Sequence, residues 1–178
     1  MINIKNEPPV YVPKSIILDN RLTSMEFSIL HRLNGLRIES EIHFDNYCAN
    51  TLYRLQSIVN LNNSNVRNIK NALHNLFEYN YLSEPPEYKI GVGTKLMLNP
   101  KTNNFSEKSG VLVPIADYLK VYKAHGHLAG RMLFIVRVKD SDNMSMDELS
   151  KITNEPIADI ERVLKLIAEE IKEEGVNQ

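Results

Sequence analysis

The 178-residue chain has one cysteine, Cys48, so an internal disulfide is excluded and the composition fits a reducing cytoplasm. No apolar run approaches the roughly 18 residues that a membrane span needs. The opening MINIKNEPPV lacks the apolar stretch of a secretory signal. A cytoplasmic protein is expected. Strong net charge is missing as well: 21 Lys and Arg stand against 22 Asp and Glu, for a formal charge of -1 and a pI near 6.5. No overall basic character announces a nucleic-acid partner, so such a partner has to be met by a local patch.

One absence is local. From Asn46 to Phe77 there is no acidic residue, and residues 60 to 82, NLNNSNVRNIKNALHNLFEYNYL, hold eight asparagines. With 43% hydrophobic residues the chain has enough apolar surface to bury a core, as one large domain or two small ones. Charge is spread unevenly: residues 1 to 110 carry 12 Lys and Arg against 10 Asp and Glu, residues 111 to 178 carry 9 against 12. Between them LNPKTNNFSEKSG, residues 98 to 110, is rich in Asn, Ser, Pro and Gly and has no apolar periodicity. The expected organisation is a first domain over 1 to 98, a linker over 99 to 110 and a second domain over 111 to 178.

The two parts repeat one another. At a constant offset of 94, Leu52 pairs with Met146, Leu55 with Leu149, Ile58 with Ile152, Val66 with Ile160, Ile69 with Val163 and Leu73 with Ile167. At an offset of 106, LTSMEFSIL (22 to 30) pairs with LAGRMLFIV (128 to 136), and a Val-Pro precedes each unit at Val12-Pro13 and Val113-Pro114. Amphipathic helix pairs of separate origin would also align this way, because apolar spacing is a weak signal.

In the first part Thr23 and Glu26 have capping-box spacing, which starts a helix whose apolar face uses Phe27, Leu30, Leu33 and Leu36. Thr51 caps a second, short helix with Leu52, Leu55, Ile58 and Val59 inward, ended by the Asn-rich turn at 60 to 63. A third helix starts near Ser64, with Val66, Ile69, Leu73, Leu76 and Phe77 on its buried face. YLSEPPEYKIGVGTKLML then reads as a strand, a loop containing Gly91 and Gly93, and a returning strand. Three helices followed by a hairpin is the order of a winged helix. The fold class expected is mainly α with a small β-hairpin wing, a winged helix-turn-helix in two tandem copies. The second copy is degenerate, since no residues follow its helices to make a wing.

That arrangement gives the asparagines a use. With Val66, Ile69 and Leu73 inward, Asn65, Arg67, Asn68, Lys70, Asn71 and Asn75 face outward, where a helix-turn-helix meets the major groove. Asparagine can donate and accept at the adenine edge, arginine can fork onto guanine, and lysine can hold a phosphate as a point charge. Carboxylates there would repel phosphate. The expected DNA contacts are Asn63, Ser64, Asn65, Arg67, Asn68, Lys70 and Asn71, joined by Lys89 and Lys95 beside the GVGTK wing tip. An AT-rich genome that fills solvated helices with Asn is the competing explanation. The equivalent helix of the second part, Ile157 to Glu174, exposes Asp159, Glu161, Glu169, Glu170, Glu173 and Glu174 against Arg162, Lys165 and Lys172. Such a surface suits packing or a protein partner better than phosphate.

Other motifs carry less. DSDNMSMDELSK (140 to 151) starts like a calcium loop but has Ser145 where Gly is needed and Lys151 where Glu is needed. His125 and His127 in AHGHLAG have no Cys or third His near them in sequence, and a turn between helices explains the segment better. Cys48, His43 and Asp45 are sequence neighbours, which is a poor basis for a nucleophile set. GVGTK lacks the spacing of a phosphate loop. No catalytic residue, metal or cofactor is expected.

With YVPKSIILDNRLTSMEFSILHRL followed by LYRLQSIVNLNNSNVRNIKNALHNLFEYNYL, the chain resembles winged-helix DNA-binding proteins of bacterial plasmids and phages. In particular it resembles plasmid replication initiators built from tandem winged helices, through the opening pattern Leu22-Thr23, Glu26, Ile29-Leu30 and Leu33. The resemblance covers residues 12 to 98 directly and 111 to 174 through the repeat. It implies a double-stranded DNA-binding protein acting in replication control, transfer or segregation, or transcription regulation; because a single winged helix buries a modest interface and only one unit is fit to read DNA, a homodimer on a two-fold operator is expected. The alternative is an interaction subunit that binds replication or transfer proteins and no DNA.

Overall fold

The computed structural model describes residues 10–41, 66–89, 93–99, 110–138 and 143–176. The elements run β1 (Val10–Val12), α1 (Lys14–Ile17), α2 (Ser24–Glu41), α3 (Val66–Glu78), β2 (Glu87–Lys89), β3 (Gly93–Lys95), β4 (Val111–Val113), α4 (Ile115–Ile135), α5 (Met146–Thr153) and α6 (Ile157–Val176). The fold is mainly helical, with two small antiparallel strand pairs, β1 with β4 and β2 with β3. Two compact units result, one of Met25–Phe105 and one of Met1–Ser24 with Ser106–Gln178.

In the Met25–Phe105 unit, α2 buries Phe27, Leu30 and Leu33 as their spacing requires. It also buries Glu26, Ser28, Ile29, His31, Arg32 and Asn34, so from Glu26 to Asn34 the helix is enclosed on every side. The sequence reading assigns it only an apolar stripe, because polar residues between the apolar positions normally mark the solvent side. The side chain of Leu36 and the short helix expected after Thr51 lie outside the described residues. Helix α3 is described over Val66–Glu78 and buries Ile69, Leu73 and Leu76 completely, and the start expected near Ser64 lies outside the described residues. Phe77 is half-buried.

The end of α3 is built by a Schellman motif. Asn80 takes the left-handed conformation (φ 65°), which Asn tolerates better than other side-chain-bearing residues. The Tyr81 N–H then donates to the Leu76 carbonyl at 2.8 Å and the Asn80 N–H to Phe77 at 2.8 Å. Tyr81, which follows this turn, is buried. The chain passes at once into the hairpin: Ser83 N–H donates to Met97, Asn99 N–H donates to Tyr81, and Leu82 bridges Leu98. The Asn99 amide donates to the Asn80 side-chain oxygen at 2.9 Å, tying the hairpin base to the helix cap. Replacing Ile69 with Ala is expected to destabilise this unit by roughly 2 to 5 kcal/mol, the usual cost of emptying a filled core position. Arg67→Ala should stay within about 0.5 kcal/mol, as for surface substitutions in general. Urea titration of the two variants checks the contrast.

In the other unit, the strands before the two Val-Pro steps pair with each other: Val10 with Val113, Tyr11 with Leu112 and Val12 with Val111. Tyr11 and Leu112 precede their Val-Pro by the same distance, so this register places a local two-fold between equivalent residues. Each strand ends at a proline that opens a helix, Pro13 (φ -58°) before α1 and Pro114 (φ -56°) before α4, where the missing N–H costs nothing. The pairing joins β1 and α1 to the second unit; a division at 99 to 110 leaves them with the first. Gly110 fits here because a Cβ would meet the Tyr11 ring; its N–H donates to the Tyr11 hydroxyl at 2.8 Å.

Helix α4 breaks at Gly126 (φ 85°, ψ -169°), a conformation only glycine adopts without strain, so AHGHLAG does separate two helical stretches. Tyr118 stacks on Tyr122 at 5.6 Å and packs on Phe134 at 5.9 Å, while His127 meets Tyr122 edge-on at 5.1 Å, joining the stretches across the break. Helix α5 opens with a capping box: Glu148 N–H donates to the Ser145 hydroxyl at 3.2 Å, and Ser145 N–H donates to the Glu148 carboxylate at 2.7 Å. From Ser145 onward, the segment that starts like a calcium loop is thus a helix start. Asn154, left-handed at φ 57°, ends α5 and leads into α6, which buries Ile160, Val163 and Ile167. Where the side chains of both members of an aligned pair are described, Ile69 with Val163 and Leu73 with Ile167, both are buried.

Candidate nucleic-acid interface

Helix α3 carries two faces. Opposite Ile69, Leu73 and Leu76 it exposes Arg67, Asn68, Lys70, Asn71 and His74. These five span about two turns of helix. The strip has no carboxylate until Glu78, which lies 3.9 Å from His74 at the far end. The strip is therefore positive toward Arg67 and Lys70 and neutral toward its C-terminal end.

Asn75 does not belong to this strip. Its amide donates to the Glu26 carboxylate of α2 at 2.6 Å, and the side chain is half-buried. The contact gives the buried Glu26 carboxylate a donor and fixes α3 against α2 at a defined rotation, which decides which residues α3 turns outward. Sequence spacing places Asn75 outside the apolar set; a partner 49 residues away pulls it in.

The hairpin register pairs Lys89 with Gly93 next to the turn, and Lys95 with Glu87 farther down the ladder. Gly93 thus opens β3 instead of lying in the loop. Asn63, Ser64, Asn65 and Gly91 fall outside the described residues, as do His43, Asp45 and Cys48.

The equivalent helix of the other unit, α6, differs. Arg162 donates to Asp159 at 3.1 Å, and Glu161 and Glu169 are exposed beside Lys165, so its cations are matched or outnumbered by carboxylates. Among the described residues no group of three His, Cys, Asp or Glu could hold a metal ion, and no helix is long and apolar enough to cross a membrane. His127 is part of the aromatic packing at the α4 break, and burial lowers its pKa.

No family model, no curated protein and no solved structure matches this chain.

Proposed function

We propose that the protein binds double-stranded DNA through the exposed face of α3, as a winged helix-turn-helix whose wing is the β2–β3 hairpin. The observation that carries this reading is the segregation on α3: apolar side chains on one face, and Arg67, Asn68, Lys70 and Asn71 without a carboxylate on the other. The order of α3, a tight turn and an antiparallel hairpin supports the wing, because it puts Lys89 beside the turn of a ribbon that follows the reader helix directly. In this reading α3 lies in the major groove, Arg67 reaches a base or the phosphate next to it, and Lys70 binds phosphate. The acidic α6 takes no part in DNA contact and serves packing or pairing of two chains on a two-fold site. Plasmid or phage replication control, transfer or transcription regulation is the setting that the resemblance of residues 12 to 98 suggests.

The test is duplex binding followed by fluorescence anisotropy across a salt series, with the mass of the complex read by light scattering. Counterion release makes affinity fall steeply with salt when phosphates are neutralised. Lys70→Ala should weaken all sequences alike and lower the logarithmic salt slope by about one. Arg67→Ala should cost on the order of 1 to 3 kcal/mol and relax sequence preference. Replacing Arg67, Asn68, Lys70 and Asn71 together should abolish binding while leaving the melting curve unchanged. Duplex binding that survives the fourfold replacement rules out α3 as the reader, and complexes of one chain per two-fold site rule out the pairing.

A further inference from the structure

Three asparagine side chains among the described residues act as tethers. Asn75 donates to Glu26, Asn99 to Asn80 and Asn154 to the backbone carbonyl of Asn20, so each of these amides holds two parts of the fold together. Asn68 and Asn71, by contrast, are exposed and hold no group among the described residues. Asn20 and Asn143 are exposed as well, but Asn68 and Asn71 stand one turn apart on the same face of α3.

Their spacing has a chemical meaning. Three residues along an α-helix advance about 4.5 Å and turn by most of a full revolution, so the two amides sit one above the other on the same face. Stacked base pairs are about 3.4 Å apart, close to that advance. A carboxamide presents an acceptor and a donor in one plane, which matches the N6 donor and N7 acceptor of adenine in the major groove; no other base edge there offers that adjacent pair. Arg67 and Lys70, each one residue before an asparagine, supply the cations on the flank.

Resting on the reading of α3 as the DNA-facing helix, we infer that its target is a site with two neighbouring A·T pairs, whose adenines are read through the major groove by Asn68 and Asn71. Lys70 and Arg67 hold the helix in register, and the amides select. Affinity then depends on adenine N7, an atom that Watson–Crick pairing and the minor groove do not use.

The experiment uses the full chain. Duplexes are selected from a random library, and each adenine of the selected site is then replaced singly by 7-deazaadenine, which keeps base pairing and removes the N7 acceptor. At two neighbouring positions the replacement should weaken binding on the order of tenfold. Asn68→Ala should erase the effect at one of these positions and Asn71→Ala at the other, with binding to the remaining position still sensitive. Tight selected binding that is indifferent to every 7-deazaadenine overturns this inference and leaves the α3 reading intact. So does a deaza effect unchanged in both Asn variants. Absence of binding to any duplex in the library overturns the α3 reading itself, and the adenine inference with it.

Discussion

Arg131→Met is expected to lower the stability of the unit containing α1 and α4 by roughly 3 to 6 kcal/mol, although the substitution keeps an unbranched apolar stem and removes a buried charge. Arg131 is fully buried. Its guanidinium donates to the carbonyl of Leu22, to that of Asp19 at 2.8 Å and, more weakly, to that of Ile17 at 3.4 Å. These carbonyls belong to the end of α1 and the loop behind it. A helix C-terminus leaves its last carbonyls without intrahelical partners, and a cation there also meets the negative end of the helix dipole. Methionine is shorter and donates nothing, so two well-made bonds from a charged donor are lost at about 1.5 to 3 kcal/mol each, while the Asp19 carbonyl keeps the Leu22 N–H at 3.2 Å. Arg131→Lys keeps the charge but not the fork, and should fall between wild type and Met. Chemical denaturation of the full chain measures this. A loss below about 1 kcal/mol for Arg131→Met would mean that water replaces the guanidinium at little cost.

That residue marks where reading from sequence stops. LAGRMLFIV aligns with LTSMEFSIL by apolar spacing, and in that alignment Arg131 is one polar letter in an apolar run. An arginine flanked by Ala129, Met132 and Leu133, all buried, does hint at a buried role, but its three acceptors lie 109 to 114 residues away, where local spacing carries no information. The face of α3 was legible for the opposite reason. Ile69, Leu73 and Leu76 recur with the period of the helix itself, so the positions between them point outward wherever the helix packs. The exception, Asn75, is again a side chain claimed by a distant partner. The two Val-Pro steps were legible as equivalent starts, but their direct pairing as β1 and β4 was not, since nothing local joins strands about a hundred residues apart. The hairpin was found from its alternation and glycines, while Gly93 entered a strand because the ladder continues from Leu82 and Leu98 toward the turn. Polar letters misled most at α2, where Glu26, His31 and Arg32 read as an outer face and all three are buried.

His31 turns that enclosure into a measurable acid sensitivity. Its ring lies buried in α2, stacked 6.4 Å from Phe27 with an interplanar angle of 11°. Desolvation, with a smaller contribution from the neighbouring Arg32 charge, pushes its pKa down from 6.5 to about 3. The unfolded chain titrates this group near its ordinary value, so between pH 6.5 and 3 the unfolded state takes up a proton that the folded state refuses. Stability is therefore fully present above pH 6.5 and falls as the pH drops, by about 1.4 kcal/mol per pH unit while the folded ring stays neutral. From pH 6.5 to 5 the expected loss is about 2 kcal/mol, and by pH 3 it approaches 5 kcal/mol, comparable to the whole stability of a small unit. The upper part of the window is the informative one, because most carboxylates titrate below pH 5 and are silent there. His127, whose pKa is also lowered by burial, adds a loss of the same sign in the other unit. The two are separated by substitution: His31→Phe keeps a flat ring against Phe27 and removes the proton site, so the pH dependence of the transition between pH 6.5 and 5 should flatten in that variant and persist in His127→Phe. Urea midpoints of the three proteins across that range give the slopes directly. A His31→Phe profile as steep as that of wild type would show that the α2 ring is reached by water and titrates like an exposed histidine.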